Sequence, residues 1–298
     1  MNKLIFGVAL SLISITITHA QTIGSIGLGD MSFNANGYNA KLGTQAQLLT
    51  IVEDTFHDSL SKTRKLTVLD RDELTSFLGE RKLKLQSYYD PIEKNSQVDY
   101  QVAGLDYILR ASVTDFDVST VTTDHANIST GRINIRFDLL GIADATVNIK
   151  SQITSQTLVH SQLNEQVDLP FVVKQTIDKG VTQAITRLLM RLYPVRVVAL
   201  QDNNHVRLNY GDGFLHPGDR VELYQGTAYQ TFDELGNSSK KPIAILEIQE
   251  VYKRFSSATA ISGLENIQAR QIGAIKFGNG FNRVIYQRNV LSQGDTPR

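Results

Sequence analysis

The sequence predicts two folds in series. The first is an α/β (α+β) layered N-terminal domain built on a mixed sheet. The second is a small all-β C-terminal domain, a barrel or a sandwich. Three observations predict this. Two long amphipathic helical stretches, over 42–60 and 175–192, are interleaved with strand-like segments. That helical period stops at Tyr193-Pro194. Beyond it come short strand-like segments separated by turn-rich pieces, the pattern of a small β domain.

The elements follow in order. Thr22 to Leu28 reads as a first strand, weakened by its glycines. Over 42–60, Leu42, Ala46, Leu49, Val52, Phe56 and Leu60 recur at three- and four-residue steps and share one helix face. Leu66 to Leu69 is a short buried strand. Asp70 with Glu73 three residues on predicts a capped helix from Arg71, with Leu74 and Leu78 inward. Residues 104–116 form a strong strand. Ile133, Ile135, Phe137 and Leu139 alternate with Asn134, Arg136 and Asp138, the mark of a half-buried strand. The same period continues over 145–149, and 158–167 reads as another strand. In the helix over 175–192 the stripe is Ile177, Val181, Ile185, Leu188, Leu189 and Leu192. After residue 193 the strands are expected over 195–200, 206–210, 220–224, 243–252 and 257–261. The turns are expected over 201–204, 211–219 and 233–241. The domain boundaries that follow are 21–192 and 193–291, with a disordered tail over 292–298.

Composition narrows the function. Lys3 followed by the apolar run Leu4–Ile17 and the small-x-small end Thr18-His19-Ala20 predicts a signal peptide over 1–20, cleaved after Ala20. The run is too short for a spanning helix, and no later stretch reaches the roughly 18 apolar residues one needs. No Cys follows the run, and the whole sequence contains none. The expectation is an exported protein with no lipid anchor, no transmembrane helix, no disulfide and no thiolate metal site. Its expected place is the periplasm, peripheral to the outer membrane. Lys and Arg number 30, as do Asp and Glu. Removing the leader, which holds Lys3 and no acid, leaves 29 cations against 30 acids. That balance gives no reason to expect a nucleic-acid partner.

Several phrases carry a resemblance. Thr63 to Arg71 (TRKLTVLDR) follows the first helix and precedes Asp72-Glu73-Leu74. An amphipathic stretch runs from Leu78 to Leu85. Leu105 to Phe116 (LDYILRASVTDF) forms the next strand, and Ser151 to Val159 is expected to carry a turn between two paired strands. With the opening strand Ile23–Leu28, these pieces resemble the CsgG-like family of curli production assembly and transport proteins over residues 22–192. Val206 to Tyr224 (VRLNYGDGFLHPGDRVELY) is similar to the C-terminal domain of FlgT, a periplasmic flagellar-ring protein. The family's curli member looks like an acylated outer-membrane pore with two inserted β-hairpins. This sequence departs from it. The acyl Cys is missing. Arg132, Arg136 and Asp138 interrupt the one candidate hairpin, between Val118 and Val147. Asp168-Leu169-Pro170 leaves no room for the second.

No catalytic constellation emerges. Gly211, Gly213, Gly218 and Asp219 lack the Lys-Ser/Thr ending of a phosphate loop, and they read as turns feeding the strand at Arg220. His57, His125, His160, His205 and His216 show no metal spacing. Asp70, Asp72 and Glu73 are explained by capping. No cofactor is expected. Tyr88 and Tyr89 are the candidate partner contacts, since exposed tyrosines are favoured at interfaces. The resulting expectation is a non-enzymatic assembly or adaptor protein of a cell-envelope machine. The settings considered are a flagellar or pilus basal ring, or secretion of a surface fibre. Its partners would be envelope proteins, or copies of itself in a ring. The alternatives are a curli-type secretion-channel subunit and an LpoB-like activator of a peptidoglycan synthase.

Overall fold

The computed structural model describes residues 24–36, 38–80, 105–142, 148–163, 165–201, 204–226, 239–267, 272–276 and 285–286. Their first sheet has six strands in the order β12-β5-β4-β3-β1-β2. Its members are β1 (Gly24–Asn36), β2 (Leu66–Leu69), β3 (Tyr107–Thr122), β4 (Asn127–Gly141), β5 (Asn148–Ser161) and β12 (Ile285–Tyr286). The sheet is mixed. β1 lies parallel to β2 and β3, the β3–β4 and β4–β5 pairs are antiparallel, and β12 joins β5 in parallel.

Helices α1 (Gln45–Thr63) and α3 (Leu169–Leu192) cover one face, and α2 (Arg71–Glu80) sits at the β1–β2 end. α1 starts at a reciprocal capping box. The Thr44 hydroxyl accepts from the Gln47 amide, and the Gln47 side chain accepts from the Thr44 amide. α3 starts at Asp168, whose carboxylate accepts from the Phe171 amide at 3.1 Å, with Pro170 in the first turn where its missing N–H costs nothing. Between helices and sheet lies a core of Ile26, Phe33, Phe56, Phe116, Phe137 and Leu189, with others. Successive strand residues face opposite sides, so Gly27 points away from this core. The space it leaves takes Leu74 of α2; a Cβ on Gly27 would stand 2.7 Å from a Leu74 methyl.

The second sheet is antiparallel and closes on itself in the order β10-β7-β6-β11-β8-β9. Its strands are β6 (Val195–Leu200), β7 (His205–Leu208), β8 (Arg220–Tyr224), β9 (Ala244–Val251), β10 (Ser256–Ser262) and β11 (Ile272–Lys276). Val197, Val206, Leu208, Val221, Leu223, Leu246 and Ile248 fill its interior.

Several expectations need correction. Ser151–Val159 contains no turn; β5 runs unbroken through it and stops at Ser161, short of 167. The inward positions of β5 are Ile149, Ser151, Ile153, Ser155, Thr157 and Val159, all buried. The strand period is intact, but half of its inward side chains are hydroxyls, and a hydroxyl run reads as a turn. The reason lies in α3, which packs very close here. A Cβ on Gly131 of β4 would fall 1.8 Å from the Thr176 hydroxyl, and one on Gly180 of α3 would fall 2.5 Å from an Ile133 methyl. Small inward residues on β4 and β5 are what allow that approach. The α1 face is also shifted. Leu48 is buried and Ala46 exposed, so the buried stripe runs Leu48, Val52, Phe56, Leu60. β1 and β3 run eight and six residues past their expected ends at Leu28 and Phe116. The sequence reading missed β11 and β12.

Candidate functional site

Tyr88 and Tyr89 lie outside the described residues, as does the expected signal peptide. A set of side-chain interactions between distant parts of the sequence occurs where the two sheets meet. α1 ends at Thr63, and Arg64 turns the chain with φ of 54°, the left-handed conformation common at helix ends. Its Nη1 donates to Asp212 Oδ1 at 2.8 Å and also to the Lys253 carbonyl. Lys65 Nζ donates to the Asn209 carbonyl at 2.7 Å and lies 4.4 Å from the centroid of the Tyr210 ring. Burial holds the Lys65 pKa below the ordinary lysine value.

Tyr210 is fully buried, and its hydroxyl donates to the Tyr193 carbonyl at the end of α3. Burial first, and the neighbouring Tyr193 second, push its pKa well above 10. Asn209 completes the seam. Its Oδ1 accepts from the Arg196 amide at 2.7 Å and its Nδ2 donates to the Pro194 carbonyl at 3.3 Å. Gly213 holds φ of 83° against the end of α1, where a Cβ would stand 2.9 Å from the Lys62 carbonyl. Phe214 packs on both cores. Gly213, read as a turn former, thus also seats the barrel loop on α1.

Clefts open beside this seam and elsewhere along α1. One of about 640 Å³ lies between β2 and the barrel, with Arg64, Lys65, Arg207, Lys253 and Arg254 on its walls. Its lone acid is Asp212, already paired with Arg64. The Arg207 guanidinium carbon sits 3.7 Å from the centre of the Phe255 ring, and its Nε is buried without a hydrogen-bond partner. A second cleft of about 810 Å³ runs between α1 and α3 under the loop Gly213–His216. Its charges are mixed, and Lys174 pairs with Asp178 at 2.9 Å. A third of about 310 Å³ gathers Glu53, Asp54, His57, Asp70, Arg71 and Asp72. Desolvation raises the Glu53 pKa above the ordinary value.

Asp70 and Glu73 form the expected capping box. The Glu73 amide donates to Asp70 Oδ1 at 2.8 Å, and the Asp70 amide donates to Glu73 Oε2 at 3.0 Å. Among the described residues no group of three or more His, Asp or Glu is placed to hold a metal ion. His205 Nδ1 lies 3.3 Å from the Thr259 hydroxyl on the paired strands β7 and β10, and the His216 ring lies 3.5 Å from Asp219 across a turn. No helix among the described residues is long and apolar enough to cross a membrane.

The sequence reading missed the basic cleft. Its signals were present as two basic pairs, Arg64-Lys65 and Lys253-Arg254, in connections far apart in sequence. Only the folded chain brings them together.

Comparison with known proteins adds the following. No curated protein matches the chain. Three solved structures give partial likenesses. The hypothetical protein CT253 from Chlamydia trachomatis is 11% identical, covers 49% of this chain and 76% of its own, and has a TM-score of 0.29. Protein XCC0632 from Xanthomonas campestris is 11% identical, covers 54% and 81%, and has a TM-score of 0.32. Lipoprotein GNA1162 from Neisseria meningitidis is 12% identical, covers 52% and 96%, and has a TM-score of 0.27. At these overlaps none of the three bears on function. The resemblance to FlgT has no counterpart among these matches. The N-terminal part does have one: residues 12–132 match the family of the curli production assembly/transport component CsgG, so this part of the chain is CsgG-like.

Proposed function

We propose that this chain is a non-enzymatic assembly or adaptor protein of a cell-envelope machine, working in the periplasm by docking on envelope proteins. Its two parts are the CsgG-like α/β domain over 21–192 and a FlgT-C-like β domain over 193–291, from which β12 returns to the first sheet. The machines that suit it are a flagellar or pilus basal ring and a surface-fibre secretion system. The observation that carries this reading is the seam between the sheets. Arg64, Lys65 and Gly213 tie the end of α1 to the barrel, and Tyr210 ties the barrel to the end of α3. The result is one continuous surface with a charged cleft, suited to holding a partner in a fixed orientation. The CsgG family match supplies the envelope setting.

A curli-type channel would need the β3–β4 hairpin to turn an apolar face to lipid. Here Ile133, Ile135, Phe137 and Leu139 are buried in the core beneath the helices. The other face of the hairpin is polar: Arg110 of β3 pairs with Asp138 of β4 at 3.1 Å, and Arg136 of β4 bonds Gln152 of the neighbouring β5 at 3.2 Å. That arrangement favours the adaptor over the channel. The test is in-cell crosslinking of the tagged full-length protein, followed by mass spectrometry of what it retains. Flagellar, pilus or fibre-export components are the expected catch. Recovery of the protein alone, unattached to any envelope component, would refute the reading.

A further inference from the structure

The whole sequence balances its cations and acids, so a local excess of one sign reflects how the fold distributes charge. The 640 Å³ cleft carries Arg64, Lys65, Arg207, Lys253 and Arg254 against Asp212 alone. Arg64 satisfies Asp212 at 2.8 Å, which leaves the remaining cations without a carboxylate inside the cleft. A smaller cleft of about 210 Å³ on the other side of the Lys65–Asn209 bond adds Arg196 to the same strip.

Two features make this more than a solvated basic surface. Arg207 does not float. Its guanidinium is held against the Phe255 ring with Nε buried and unpartnered, a pre-ordered cation of the kind that receives carboxylates at low entropic cost. One wall of the cleft is β2, through Leu66 and Thr67. β2 is the terminal strand of its sheet, and no described strand pairs with its outer edge. An edge strand offers a row of unpaired backbone groups to any extended chain laid beside it. Val198 and Phe255 add apolar contacts to the same cleft.

We propose that this cleft binds an acidic, extended segment of a partner protein, which adds a strand beside β2 and sets its carboxylates against Arg207, Lys253 and Arg254. An extended peptide suits the site better than a compact phosphate, because Leu66 and Thr67 of β2 give the cleft a strand wall whose backbone only another chain can use. The inference rests on the adaptor reading and names the kind of partner surface that reading requires.

Lys253 and Arg254 are exposed, and only the Lys253 backbone carbonyl takes part in the seam. Lys253→Gln with Arg254→Gln therefore lowers the charge and leaves the fold in place. The probe is a fluorescein-labelled peptide of alternating glutamate and valine, with a lysine–valine peptide and inorganic polyphosphate as competitors. The glutamate peptide should bind the full-length protein and weaken with added salt. It should bind about tenfold less tightly to the double variant. Hydrogen exchange at the amides of Leu66–Leu69 should slow only when that peptide is bound.

Failure of the glutamate peptide to bind, equal binding to the double variant, or displacement by polyphosphate without protection of β2 would each overturn the proposal. The same variant in the in-cell crosslinking separates the two claims. Capture of envelope components that the variant retains in full would overturn this cleft and leave the adaptor reading standing.

Discussion

At the scale of single residues, Arg64 and Tyr210 carry the seam. The Arg64–Asp212 pair is half exposed, so its charge attraction alone is worth at most about 1 kcal/mol. The backbone at Arg64 adds a second effect, since φ of 54° is costly for a residue with a Cβ and cheap for glycine. Arg64→Ala should therefore lower unfolding stability by about 1 kcal/mol, and Arg64→Gly by less, as read from urea midpoints. Tyr210 makes a pH prediction. An unfolded tyrosine ionises near pH 10, whereas buried Tyr210 keeps its proton well above that. Above about pH 10 the folded state therefore binds more protons than the unfolded one, and stability falls as pH rises further. Tyr224 contributes in the same direction, through burial and then its bond to Glu222. Lys65 acts oppositely. Its depressed pKa makes stability rise with pH between its folded value and about 10.5. Tyr210→Phe should cost about 1 kcal/mol at pH 8 through the lost hydrogen bond. It should also lose stability less steeply between pH 10 and 11, checked by denaturant titrations at each pH.

At the scale of elements, close approach of α3 to β4 decides the character of the sheet. Gly131→Ala pushes a methyl into the Thr176 hydroxyl and should destabilise by about 1–3 kcal/mol, read as a lowered thermal midpoint. Asp70→Ala removes one half of the α2 capping box and should cost about 1 kcal/mol. These elements also show what the sequence could reveal. α3, β4 and the second half of α1, from Val52 to Leu60, were legible because apolar periodicity and burial coincide in them. The α2 cap was legible because Asp70 and Glu73 satisfy each other locally. β5 was not, because its inward Ser151, Ser155 and Thr157 owe their burial to a helix that follows later in the chain. β6 and β8 matched their expected bounds of Val195–Leu200 and Arg220–Tyr224, each bounded by clear turn residues.

At the scale of the whole molecule, the chain unites a CsgG-like N-terminal part with a closed antiparallel sheet through a seam of charged and aromatic contacts. That seam was hidden from the sequence. Arg64 meets Asp212 across 148 positions and Lys253 across 189, and no local pattern announces such a pairing. The tyrosines read as partner contacts, Tyr88 and Tyr89, were chosen because exposed tyrosines are favoured at interfaces, and they lie outside the described residues. The basic cleft owes its existence to topology, because the fold brings Leu66 and Thr67 of β2 to the same cleft as the connection after β9. The adaptor function proposed for this chain turns on whether this surface holds another protein in the cell. The most direct measurement places a photoreactive amino acid at Arg254 of the full-length protein and identifies its adducts after irradiation of living cells. The account predicts a discrete adduct with another envelope protein, lost when the probe is moved to Gln156 on the outward face of β5. Adducts with this protein alone, or none from Arg254 or from Lys253, would contradict it.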